Sequence, residues 1–133
     1  HAPVISRFLG QATTGGSLVL FGDGTQSRDF CYIDDVVEAL LQAGRKETVR
    51  HTVLNIGSGA EVTISGLVNA IEETLGQPVH RLHNQDVGSG VSRLVADISL
   101  ARQELGFQPQ VSLQEGIRLM IARDPRFSWE WHS

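Results

Sequence analysis

One cysteine, one lysine, one tyrosine and no long apolar run occur in the 133 residues of this chain. The single thiol, Cys31, rules out an internal disulfide and a Cys-rich metal site. The basic residues, all arginine except Lys46, are scattered, and the formal charge is −4. That balance argues against a nucleic-acid surface, because neutralising several phosphates takes clustered Lys and Arg. No apolar stretch approaches the roughly 18 residues that span a bilayer, and the N-terminus has no basic segment followed by an apolar one. On this reading neither nucleic acid nor membrane is a partner, and a cytoplasmic setting is expected. The chain opens on His1-Ala2-Pro3 without a Met and runs almost directly into a helical pattern, so a longer parent chain is also expected.

A hydrophobic content of 41% suffices for one core, and residues 1–133 read as one domain. Val4, Ile5, Phe8, Leu9 and Ala12 recur at the spacing of one helix face, with Pro3 where a first turn tolerates it. Ser17 to Phe21 is a strand entering the turn Gly22-Asp23-Gly24. Phe30 to Ile33 reads as a second strand, and Asp35 with Glu38 as the capping box of a helix ending near Gly44. Thr52 to Ile56 reads as a third strand, followed by Gly57-Ser58-Gly59 and a helix from Thr63 to Leu75 closed by Gly76 and Pro78. Val79 to Leu82 is a further strand candidate, and His83 to Ser92 a polar loop. Asp97 caps a short helix that stops at Gly106, and Ser112 with Glu115 opens a last helix through Ile121. Few strands mixed with about five helices predict an α/β fold with a small mixed sheet.

Gly57-Ser58-Gly59 stands after a strand and before a helix, as a phosphate loop does, but the third fingerprint glycine is replaced by Val62, so a turn that redirects the chain is the expectation. His80 and His83 lie in a segment that reads as extended, where residues three apart point to opposite faces, and no third ligand stands near them. Cys31 reads as a structural thiol. Phe127, Trp129 and Trp131 alternate with polar residues, which suits either packing or a disordered end. Arg28, just after a turn, is placed either to grip phosphate in a bidentate fork or to pair with Asp23 or Asp29.

The run Phe21-Gly22-Asp23-Gly24-Thr25-Gln26-Ser27-Arg28-Asp29-Phe30-Cys31-Tyr32-Ile33-Asp34-Asp35-Val36 closely resembles a segment of the extended short-chain dehydrogenases that act on nucleotide sugars, the NAD-dependent epimerases and dehydratases. Leu54-Asn55-Ile56-Gly57-Ser58-Gly59, Val95 to Ser99, Leu105 to Pro109 and Ser112 to Gly116 extend the likeness from about Val4 to Arg123. The resemblance implies the C-terminal, substrate-binding portion of that fold, lacking most of the Rossmann core. It implies that Val4, Val19 and Phe21 lie against the nucleotide base and that Arg28 holds the diphosphate. The family often carries an Arg-x-Gly-Asp run before the positions of Ala96-Asp97; here Val87 and Gly90 stand where the Arg and Asp would be, while Arg93 lies closer to Ala96 and is the candidate second phosphate ligand.

The same resemblance makes an absence informative. Hydride chemistry in that family needs NAD on a Gly-rich loop and a Tyr with a Lys four residues later, whose ammonium lowers the phenol's pKa. Val36 stands four residues after Tyr32, and Lys46 is far from it, so no catalytic residue and no cofactor ligand is assigned to this chain. A nucleotide-diphosphate sugar is the expected ligand. The further partners expected are a Rossmann half or a second copy meeting exposed apolar surface. The rival readings are a free-standing binding or interaction module, and an enzyme completed by a separate chain.

Overall fold

The computed structural model describes residues 3–47, 53–86 and 90–127. The first helix, α1 (Val4–Thr13), buries Phe8, Leu9 and Ala12 and leads through Gly15-Gly16 into strand β1 (Leu18–Phe21), whose Leu18 and Leu20 point into the core. After the Gly22–Gly24 turn come the two-residue strand β2 (Ser27–Arg28) and helix α2 (Ile33–Arg45). Strand β3 (Val62–Thr63) runs straight into helix α3 (Ile64–Leu75). Strands β4 (Arg81–Asn84) and β5 (Arg93–Leu94) precede helices α4 (Ser99–Leu105) and α5 (Leu113–Arg123), and a 3-10 turn covers Pro125–Phe127. The α/β expectation with five α-helices is met. The sheet is divided in two: β1 pairs with β4 in parallel, while β2 lies between antiparallel β3 and parallel β5.

Helix ends follow local chemistry. The Thr63 hydroxyl accepts from Gly66 N at 2.9 Å and caps α3. That helix closes on Gly76 in the left-handed region, whose amide donates to Glu72 O. Ser112 caps α5 by accepting from Glu115 N at 3.2 Å. Two clusters result. The larger joins α1, β1, α3 and α5 around Phe8, Leu20, Leu67, Ile71 and Ile117, and Phe127 of the aromatic tail is buried in it; Trp129 and Trp131 lie outside the described residues. The smaller gathers Ala39, Ile98, Ala101, Leu105 and Phe107, with Leu54 and Ile56 against it.

Several local expectations are corrected. Phe30 to Ile33 is no strand: the strand starts three residues earlier, at Ser27–Arg28, and the Tyr32 carbonyl already accepts from Asp35 N and Val36 N, so the chain has turned into helix there. The helix therefore starts at Ile33 with Tyr32 as its N-cap, and the proposed capping residue, Asp35, lies inside it. Its buried carboxylate instead accepts from Gln110 N (2.9 Å) and Val111 N (3.1 Å), tying α2 to the segment before α5. Val53 to Ile56 has no ladder partner among the described residues, and a strand needs one; Thr52 lies outside them. The strand expected at Val79 to Leu82 sits two residues later, where β4 meets β1 in register. Helix α4 takes Ile98 as its N-cap, and Asp97 accepts from Ser99 N at 2.9 Å just ahead of it.

Candidate functional site

Strand β1 has one paired edge and one bare one. Leu18 N donates to His80 O and Gly22 N to Asn84 O. In a parallel ladder alternate residues direct both backbone groups to the same neighbour, so the amides of Val19 and Phe21 and the carbonyl of Val19 point away from β4. No described strand lies on that side. The Phe21 carbonyl accepts from the side chain of buried Gln26 at 3.0 Å, which pins the turn. The side chains of Val19 and Phe21 share the half-buried face opposite Leu18 and Leu20, and half-buried Val4 opens the adjoining α1. The guanidinium of Arg7 lies 5.2 Å from the Phe21 ring centroid, and Arg7 stands one helical turn beyond Val4. Arg7 thus lies on Phe21, one of the three residues expected against the base, while Val4 packs against the larger cluster; the sequence reading passed over Arg7, because an arginine on a helix flank carries no spacing signal.

Arg28 lies at the end of β2 in a cleft of about 450 Å³, walled by Asn55 to Gly57 and by Leu94 to Asp97. One guanidinium nitrogen donates to Ser27 O (2.7 Å) and Val91 O (2.8 Å). No ion pair forms between Arg28 and a described carboxylate. The carboxylates that could have neutralised it are engaged elsewhere, Asp97 of the cleft wall with Ser99 N at 2.9 Å. Asp23 accepts from the Thr25 amide and hydroxyl. Asp29 accepts from Ser58 N (2.7 Å), Ser58 Oγ (2.5 Å), Gly59 N (2.9 Å) and Ala96 N (3.2 Å). Burial pushes the Asp29 carboxyl up, but the Ser58 hydroxyl and the three amides outweigh it, and the group titrates below its ordinary value.

The Gly57-Ser58-Gly59 turn thus grips a carboxylate of its own chain. A Cβ on Gly57 would stand 2.7 Å from both Ala96 Cβ and an Asp29 oxygen, so this approach requires glycine. Because the Ser58 and Gly59 amides are spent on Asp29, the turn does not fit a dinucleotide pyrophosphate, which would need those donors free.

Arg93 is placed differently from Arg28. The ladder pairs Arg28 with Leu94 and Ser27 with Arg93, and partners in register share a face, so Arg28 and Arg93 leave the sheet on opposite sides. On its side Arg93 binds Glu61 at 2.9 Å, and Glu61 also accepts from the buried Ser27 hydroxyl at 2.6 Å. His80 and His83 are used singly, His80 with the Ser17 hydroxyl and His83 with the Gly22 carbonyl. No group of three possible metal ligands is gathered among the described residues, and no described helix is long and apolar enough to cross a membrane. The Cys31 thiol is pushed up by burial and by the Asp35 and Asp29 carboxylates, which disfavours the thiolate.

Two small sheets flanked by five α-helices make an α/β fold, and the solved structures it matches make it part of a short-chain dehydrogenase fold. Residues 1–57 match the family model described as "NAD dependent epimerase/dehydratase family". A UDP-glucose 4-epimerase of Mycolicibacterium smegmatis is 36% identical over 118 residues, covering 88% of this chain and 37% of that protein. UDP-glucuronic acid decarboxylase 6 of Arabidopsis thaliana is 34% identical over 117 residues, covering 88% and 34%. Among solved structures, the UDP-glucose 4-epimerase of Thermotoga maritima with UDP-glucose superposes with a TM-score of 0.82 at 33% identity, over 91% of this chain and 38% of that one. The chain belongs to the NAD-dependent epimerase/dehydratase family, and it spans under two-fifths of the length of the curated relatives it matches.

Proposed function

We propose that this chain binds a nucleotide-diphosphate sugar as the substrate-holding part of an NAD-dependent sugar epimerase, dehydratase or decarboxylase, and that alone it is inactive. The observation that carries the reading is Arg28, a guanidinium in a cleft with no acidic partner among the described residues. An arginine without an ion-pair partner beside a roomy cleft, whose carboxylates Asp29 and Asp97 are held by hydrogen bonds of their own, can take up an anion, and the guanidinium fork suits a bidentate grip. The base would lie against Val4, Val19 and Phe21, with the bare β1 edge offering an amide and a carbonyl. Arg93, held by Glu61 on the opposite face of the sheet, would not share the diphosphate that Arg28 grips. Remote binding of the nucleotide handle then orients the sugar toward chemistry performed elsewhere.

NAD and the Tyr-Lys pair would come from a Rossmann portion. Its docking surface would be the apolar stripe of α2, where Ile33, Val37, Leu40 and Leu41 are exposed, together with Val53. Left bare, that stripe favours self-association. Isothermal titration with UDP, GDP and dTDP tests the reading. Saturable binding of at least one, lost in Arg28→Ala, is expected. A folded chain that binds none of them would sink it.

A further inference from the structure

We infer that Arg7 is a ligand for a base carbonyl of the nucleotide, a binding residue additional to Val4, Val19, Phe21 and Arg28; the inference rests on the binding function proposed above. Three observations support it. First, the guanidinium carbon lies 5.2 Å from the Phe8 centroid and 5.2 Å from the Phe21 centroid, inside the roughly 6 Å range of cation–π attraction. Two rings therefore hold it in place. Second, Nε is buried without a hydrogen-bond partner, and no ion pair forms between Arg7 and a described carboxylate. Gln11, one turn along the same helix flank, does not absorb the charge, since its own Oε1 is also buried and unpartnered. Nε itself is closed off, so a ligand contact falls to the terminal guanidinium nitrogens, which have no hydrogen-bond partner among the described residues.

Third, the location selects which acceptor. Arg7 rests on Phe21, the ring against which the base is placed, and follows Val4 by one turn of α1. A uracil or thymine base has an N–H flanked by two carbonyls. The bare β1 edge can satisfy the N–H and one carbonyl with the backbone carbonyl and an amide. The second carbonyl then needs a donor, and guanidinium has donors and no acceptor. Arg28 remains the phosphate ligand, so the two cations divide the nucleotide between them.

The test is titration of the whole 133-residue chain with UDP and, separately, with inorganic pyrophosphate, comparing Arg7→Ala, Arg7→Lys and Arg28→Ala, with circular dichroism establishing that each variant is folded. Arg7→Ala is expected to weaken UDP about tenfold, the usual scale for a hydrogen bond to a charged group, and to leave pyrophosphate unchanged. Arg7→Lys, which keeps charge and a donor, is expected to recover part of the UDP loss. Arg28→Ala should weaken both ligands. Equal loss of UDP and pyrophosphate in Arg7→Ala would make Arg7 a phosphate contact and overturn the inference, as would unchanged UDP binding. If Arg7→Ala does not fold, an Arg7→Lys variant that weakens UDP and leaves pyrophosphate unchanged supports the assignment, and one that leaves UDP unchanged or weakens both ligands equally overturns it. A folded wild type that binds neither ligand overturns both this inference and the function it rests on, whereas loss confined to the Arg7 assignment leaves that function standing.

Discussion

The two hydrophobic clusters were built from the same kinds of residue and reached different states. Around α1, β1, α3 and α5 the apolar faces close on one another, and Phe8, Leu9, Leu18, Leu67, Val68 and Ile71 are fully buried. Around α2 and α4 the buried apolar residues, among those described, are Ala39, Ile98, Ala101, Leu105 and Phe107. The opposite side of α2 leaves Leu40 68% exposed, and Val53, outside that helix, is 77% exposed. A closed core can hold its fold unaided. The open one has an inner face that packs and an outer face that waits for other surface, so apolar patterning alone does not tell which side of a helix its own chain covers.

The sharpest way to test that contrast is to remove volume from the closed side. Leu67 is completely buried on α3, and Leu67→Ala should cost about 3 kcal/mol, lost contact plus cavity. Urea denaturation followed by circular dichroism measures it; a cost below about 1 kcal/mol would mean that the closed cluster is not what holds the chain together.

The tether between the two halves comes next. Asp35 sits on α2 in the open half, yet its buried carboxylate receives the Gln110 and Val111 amides just ahead of α5, which belongs to the closed half. Asp35→Ala strands two amides, and hydrogen bonds to a charged acceptor place the loss at about 2 kcal/mol. If α2 were docked by its apolar contacts alone, the same denaturation measurement would show little change.

This tether also marks where sequence reasoning ran out. The helical faces of α1, α3 and α5, the opening of α3 at Thr63 and the Ser112 cap were legible, because each depends on residues within one or two turns. Asp35 with Glu38 has the spacing of a capping box, but the partners that claim Asp35 lie 75 and 76 residues away. Strand assignments failed for a related reason: Val53 to Ile56 has strand-forming side chains and no described strand to pair with. In the candidate site, Arg28 was legible through its motif. The opposed faces of Arg28 and Arg93 follow from a register that no local pattern encodes, and Arg7 became visible only when α1 was laid over Phe21.

A smaller effect is expected at the seam that shapes the Arg28 cleft. The folded Asp29 carboxyl titrates below its ordinary value: burial opposes ionisation, and the Ser58, Gly59 and Ala96 donors more than offset it. Its contribution to stability is therefore fully present above the unfolded value, near 3.9, and is lost as pH falls through the lower folded value. Asp29→Asn should lower stability at neutral pH and flatten the acid limb of the stability curve, read as denaturation midpoints between about pH 2 and pH 6. An unchanged acid limb would mean that Asp29 is not among the groups whose protonation opens the seam.

The smallest effect on stability is expected on the open face, and there the near-zero result is the informative one. Leu40→Glu places a charge on an already exposed position of α2, where glutamate is nearly as good a helix former as leucine. The denaturation midpoint should move by no more than about 0.5 kcal/mol equivalent, while light scattering of a concentrated sample should show less self-association than the wild type. A loss comparable to that of Leu67→Ala would erase the contrast, because it would mean that the chain already covers this stripe with its own residues in solution. Unchanged stability with reduced association would mean instead that the stripe is surface the chain presents outward, and that a helix able to fold without its outer face buried has kept that face apolar for something other than its own core.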